Sequence, residues 1–159
     1  MTRKRRFETE PERILMNTCY ESDFYLWTQQ QAGLLRQGQF NRIDLDAENI
    51  AEEIESMGKR DRRSISSYIQ NVLLHLLKWR YQPERRGTSW RLSIENARYQ
   101  ILNLLDESPS LKREMSVFAT KEYQQASRNA AGETGLPLTT FPDQCPFTVE
   151  QITGDYWPD

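Results

Sequence analysis

The sequence predicts an all-α fold from three observations: apolar residues recur at three- and four-residue intervals over long stretches, no segment alternates like a strand, and Gly or Pro ends each periodic stretch. With 159 residues, the chain is near the commonest size of one domain and can bury a core without disulfide or metal staples. The expected architecture is a five-helix bundle-like single domain. A flexible basic arm is expected over 1–19, the bundle over 20–135, and over 136–159 an extended Pro- and aromatic-rich tail that packs on the bundle and carries one short terminal helix.

The first helix is expected over 22–38, capped by Ser22 or Asp23 and ended by Gly38, with Tyr20, Phe24, Trp27, Leu34 and Leu35 on one face and Gln31 inside the same stripe. Residues 44–57 read as a second helix, capped by Asp44 and stopped by Gly58, burying Ala47, Ile50, Ile54 and Met57. The third, over 59–81, has the widest apolar arc (Ile65, Tyr68, Ile69, Val72, Leu73, Leu76, Leu77 and Trp79) and should be central. Pro83 and Gly87 punctuate the chain before a fourth helix over 88–106, capped by Thr88 or Ser89. Pro109 separates it from a fifth over 111–131, which Gly132 and Gly135 close. Four of the seven prolines follow residue 136, so the remainder is extended, except where Thr148 and Gln151 offer a capping box for a short helix.

Composition narrows the function classes. At 37% hydrophobic and 28% charged, the chain is too apolar for a disordered protein, and no apolar run is long enough to span a bilayer. No membrane association is expected. No secretory leader is recognisable at the start, which points to the cytoplasm. Cys19 and Cys145 are read as free thiols, and with one histidine and two isolated cysteines no zinc-ligand spacing exists; neither a metal nor a cofactor is expected. Phosphate-binding glycine loops and the HExxH and GxSxG motifs are absent. The net charge of -2 gives no global case for nucleic acid, although acidic and basic blocks alternate along the chain.

Polar residues beside apolar stripes are the informative ones, because burial there demands a partner. Glu53 edges the stripe of Ile50, Ile54 and Met57, and a charged or donor partner would be valuable to it. His75 edges the central arc, where it can either hold one structural hydrogen bond or move a proton. Arg91 and Arg98 flank the apolar face of the fourth helix and could bind Glu53, a partner's carboxylate or a phosphate. Glu122 contradicts the apolar periodicity of the fifth helix, so either that helix is rotated or Glu122 is paired. Trp79 and Trp90 bracket the loop carrying Arg85 and Arg86, either as a binding corner or as helix-end packing with arginines over tryptophan faces.

Several short strings carry a resemblance: Asp23-Phe24-Tyr25-Leu26-Trp27, Ala51-Glu52-Glu53-Ile54-Glu55-Ser56-Met57-Gly58, His75-Leu76-Leu77-Lys78-Trp79 and Gln82-Pro83-Glu84-Arg85-Arg86. Ser89-Trp90-Arg91, Ser108-Pro109-Ser110-Leu111, Cys145-Pro146-Phe147-Thr148 and Trp157-Pro158 follow in the same order. Together, over residues 20–159, they resemble the family catalogued as domain of unknown function 29, populated largely by cyanobacterial proteins. The resemblance implies an all-helical fold and no activity, so no catalytic residue transfers.

The most economical function is a small helical protein-interaction or regulatory module whose partner is another protein. One alternative is an enzyme acting on a phosphate-containing substrate, with Glu53 or His75 moving a proton and Arg85, Arg86 or Arg91 holding the anion. A nucleic-acid contact through the basic arm and the corner of Trp79, Arg85, Arg86, Trp90 and Arg91 is the other.

Overall fold

The computed structural model describes residues 20–22 and 24–159. The expected basic arm, Cys19 and the Asp23 cap lie outside the described residues, as does the side chain of Phe24. Among the described residues the chain is helical without strands: α1 (Phe24–Arg36), α2 (Ala47–Tyr81), α3 (Thr88–Glu107), α4 (Met115–Thr134) and the short α5 (Val149–Thr153). Three-residue 3-10 turns at Pro83–Arg85 and Leu138–Thr140 and a longer one at Pro109–Glu114 join them. The chain divides into two compact units, with the boundary between Ser56 and Met57.

The predicted second and third helices are one. Gly58 sits inside α2 without a positive φ, and nothing lies within 4 Å of where its Cβ would be. A glycine costs only about 1 kcal/mol in a helix interior, too little to break one whose neighbours are Glu, Met, Lys and Arg. By contrast, Gly38 and Gly135 adopt φ of 66° and 74° and do terminate helices, whereas Gly132, expected to close the fifth helix as well, lies inside α4. At Gly38 the bonds Gln39 N–H to Leu34 O and Gly38 N–H to Leu35 O, both 3.1 Å, close a Schellman motif.

In the first unit, Trp27 and Gln31 form the buried face of α1. The Gln31 amide clamps the loop after it, donating to Asp44 O at 3.3 Å and accepting from Asp46 N–H at 2.9 Å. The α2 N-cap is Asp46 and not Asp44: Asp46 Oδ1 accepts Asn49 N–H at 3.3 Å, while Arg42 holds Asp44 through two bonds of 2.6 and 2.7 Å. That guanidinium lowers the Asp44 pKa. Leu35, Ile54 and Met57, expected in the core, are exposed, the last two at 64% and 58%. Periodicity identifies a face, but a second element must arrive to bury it.

In the second unit, Ile65, Ile69, Val72, Leu73, Leu76 and Leu77 of α2 have no exposed surface and form one core with Ile94, Ala97, Ile101 and Leu105 of α3 and Met115, Phe118, Tyr123 and Ala126 of α4. Arg62 pairs with Glu114, Ser66 donates to Glu122, and Lys78 pairs with Glu133. Numbers rise together on both sides, so α2 and α4 run parallel. The C-terminal segment completes this core with Phe141, Phe147 and Ile152, and the Thr148–Gln151 capping box starts α5 as the sequence predicts. α3 starts directly after an extended Gly87, without the side-chain cap expected from Thr88 or Ser89.

Candidate functional site

Glu53 belongs to the first unit, where its carboxylate accepts the Tyr20 hydroxyl at 2.7 Å. The bond supplies the donor that a half-buried carboxylate needs, and it raises the Tyr20 pKa because ionising the phenol would place two anions in contact. This unit also holds an open cavity of about 400 Å³ lined by Trp27, Gln31, Leu34, Asp44 and Asp46 among others. Both carboxylates there are engaged, Asp44 by Arg42 and Asp46 by Asn49 and by the Trp27 indole N–H at 3.3 Å.

The remaining candidates lie in the second unit. His75 Nδ1 is 2.9 Å from the Asn71 carbonyl, which can only accept, so the Nδ1–H tautomer is present. Burial lowers the His75 pKa, with the bond to the Asn71 carbonyl opposing the shift and the ammonium of Lys78 adding to it.

At the corner between α2 and α3, Arg86 Nε donates to Trp79 O at 2.8 Å, and its guanidinium lies 5.5 Å from the Trp79 ring centre. Trp79 O is one of the last-turn carbonyls of α2 that have no partner within the helix, so Arg86 acts as a C-terminal cap. Trp79 also meets Trp157, with ring centres 4.7 Å apart. Trp90 faces Lys78, whose ammonium is 4.6 Å from the ring centre and 2.6 Å from Glu133. Trp79, Arg86 and Trp90 thus bind the corner together. Arg85 is exposed on its rim, and Arg91 is exposed on α3, 3.9 Å from Glu95.

Two residues matter more than their sequence positions indicate. Arg98 is buried and turned toward the C-terminal segment: Nε donates to Ile152 O at 3.0 Å, and Nη2 donates to Gln151 O at 2.8 Å and Tyr156 O at 2.7 Å. It thereby caps the end of α5 and lies 5.5 Å from the Trp157 ring centre. Burial lowers its pKa, while Asp155 and Glu95 favour its charged form. Lys78 is the other, buried along its stem. Spacing places Arg98 beside the apolar stripe of α3 but Lys78 on the far side of the α2 stripe, and in both cases only long-range packing supplies the partners. Glu122, the outlier of the apolar pattern, is paired: it accepts the Ser66 hydroxyl at 2.6 Å and lies 3.5 Å from Lys121 Nζ.

The outer surface of α3 was not singled out by the sequence. Leu92, Tyr99 and Leu102 fall within about 80° of one another on the helical wheel, and all are exposed, at 46%, 62% and 49%. Asp106 and Glu107 follow in the last turn, which carries no basic residue. Carboxylates at a helix C-terminus oppose the macrodipole, and among the described residues no cation pairs with either.

Among the described residues no group of three His, Cys, Asp or Glu side chains could hold a metal ion, and no helix is long and apolar enough to cross a membrane. No curated protein and no solved structure gives a significant match to the chain. The family model described as "Domain of unknown function DUF29" does match, over residues 19–157, and with most of its length inside that match the chain belongs to this family.

Proposed function

We propose that this protein is a helical interaction module that docks an amphipathic helix of a partner protein along the outer face of α3. The observation that carries this reading is the line of Leu92, Tyr99 and Leu102 ending in Asp106 and Glu107, which have no paired cation among the described residues. Apolar side chains in a row offer a ridge for helix-on-helix packing, and the acidic end favours a partner helix that carries Lys or Arg beside its apolar stripe. A cation placed there would also relieve the unfavourable charge at the α3 C-terminus.

The test is a pull-down from source lysate with wild-type protein and with Leu102→Glu, with Leu92→Glu as a second variant; both sites are solvent-exposed. A stoichiometric partner held by wild type, lost by both variants, and bound through a basic amphipathic helix supports the proposal. A partner retained equally by the variants overturns it, as does the absence of any partner. Self-association that Leu102→Glu abolishes in sedimentation would assign the face to a second copy instead.

A further inference from the structure

A basic cleft in the second unit lies on different residues and serves a different chemistry. Lys59, Arg62, Arg63 and Ser66 follow an i, i+3, i+4, i+7 spacing and so share one face of α2. Across from them, Phe118 and Lys121 project from the parallel α4, and the six side chains line an open cleft of about 180 Å³. The lining holds four cations and no carboxylate. Arg62 is paired with Glu114 and lies 5.7 Å over the Phe118 ring centre, which fixes the plane of its guanidinium. Lys121 is largely exposed at 3.5 Å from Glu122, a surface contact weak enough for the ammonium to swing away. Among the described residues Arg63 makes no ion pair.

The geometry points to an anion site that takes the phosphate monoester group of a small phosphorylated ligand, held by Arg63 and the Lys121 ammonium group, with the Arg62 guanidinium as the oriented wall. A phosphate monoester carries about -1.5 to -2 charges and three strong acceptor oxygens, which suits several convergent N–H donors better than a carboxylate does. At about 180 Å³ the cleft is smaller than the roughly 300 Å³ at which pockets for whole drug-sized ligands begin, so the phosphoryl group enters and the organic part projects into solvent.

The experiment titrates the full chain with phenyl phosphate, with pyrophosphate and with a random-sequence twelve-nucleotide DNA strand at low ionic strength, read by amide chemical shifts and calorimetry. The expected result is saturable one-to-one binding of phenyl phosphate with shifts confined to the facing turns of α2 and α4. Arg63→Gln and Lys121→Gln, on separate helices and both exposed, each weaken binding at least about tenfold. Arg128→Gln, an exposed arginine outside the cleft, leaves it unchanged. Non-saturable binding, or equal loss in all three variants, overturns the site. Binding of pyrophosphate alone overturns the ester assignment, and tighter binding of the oligonucleotide with a steep salt dependence overturns the small-ligand reading in favour of a nucleic-acid backbone.

Discussion

Replacing Arg98 with Met removes the guanidinium that binds three carbonyls at and just beyond the end of α5 and keeps a stem of similar length in the same slot. Three hydrogen bonds from an ionised donor are lost, to the carbonyls of Ile152, Gln151 and Tyr156. Each such bond is worth about 1.5–3 kcal/mol when one partner is deleted. The Gln151 and Tyr156 carbonyls are only partly buried, so water replaces some of what the guanidinium supplied, and the net loss should be roughly 3–5 kcal/mol. For a chain of this size that corresponds to a melting temperature lower by roughly 6–20 °C. Urea and thermal melts followed by circular dichroism measure the loss, and limited proteolysis localises it, with cleavage after residue 147 preceding global unfolding in the variant. Arg98→Lys keeps the charge but not the planar fork and should recover only part of the loss. If Arg98→Met melts within about 2 °C of wild type, the guanidinium does not secure the C-terminal segment and the capping argument is refuted.

Gly58→Ala places a methyl group in open space on a continuous helix, and should stabilise the protein by about 0.5–1 kcal/mol, raising the melting temperature by about 1–4 °C; a decrease would mean that the helix breaks there. Tyr123 is buried, donates its hydroxyl to Pro142 O at 2.6 Å, and has its pKa pushed up to about 12 by desolvation. The folded-state value lies above the unfolded value of about 10, so this stabilisation is fully present below pH 10 and is lost as pH rises toward 12, because the unfolded chain releases the proton first. Urea melts between pH 8 and pH 11.5 should show stability falling more steeply in wild type than in Tyr123→Phe, which is also weaker at neutral pH by about 1 kcal/mol through the lost hydrogen bond; parallel profiles would refute the assignment.

Of the candidate site, sequence reasoning found the need but seldom the partner. Glu53 at the edge of a stripe calls for a donor, and the donor is Tyr20, 33 residues away. Glu122 calls for pairing, and Ser66 and Lys121 provide it. The arginines and tryptophans around residues 79–91 do share a corner, yet Arg86 turns back onto the Trp79 carbonyl and Arg91 onto Glu95. Lys59, Arg62 and Arg63 were legible only as part of a basic block, and the cleft exists because α4 sets Phe118 and Lys121 opposite them.

Periodicity, proline placement and capping chemistry are local, acting within about one helical turn, and the sequence alone therefore determined the all-helical fold, the buried stripe of Ile65, Ile69, Val72, Leu73, Leu76 and Leu77, the helix end at Gly38, and the Thr148–Gln151 capping box. What a helix packs against is not a local property. Only the tertiary structure decided that α2 runs through Gly58, that Ile54 and Met57 stay exposed, that Asp46 caps α2 because Arg42 holds Asp44, and that Arg98 and Lys78 are buried. The burial of Arg98 and Lys78 and the exposure of Ile54 and Met57 follow from contacts with residues remote in sequence or the lack of them, whereas at Gly58 and at the α2 cap the competing local preferences differ by only about 1 kcal/mol, too little for the sequence to choose.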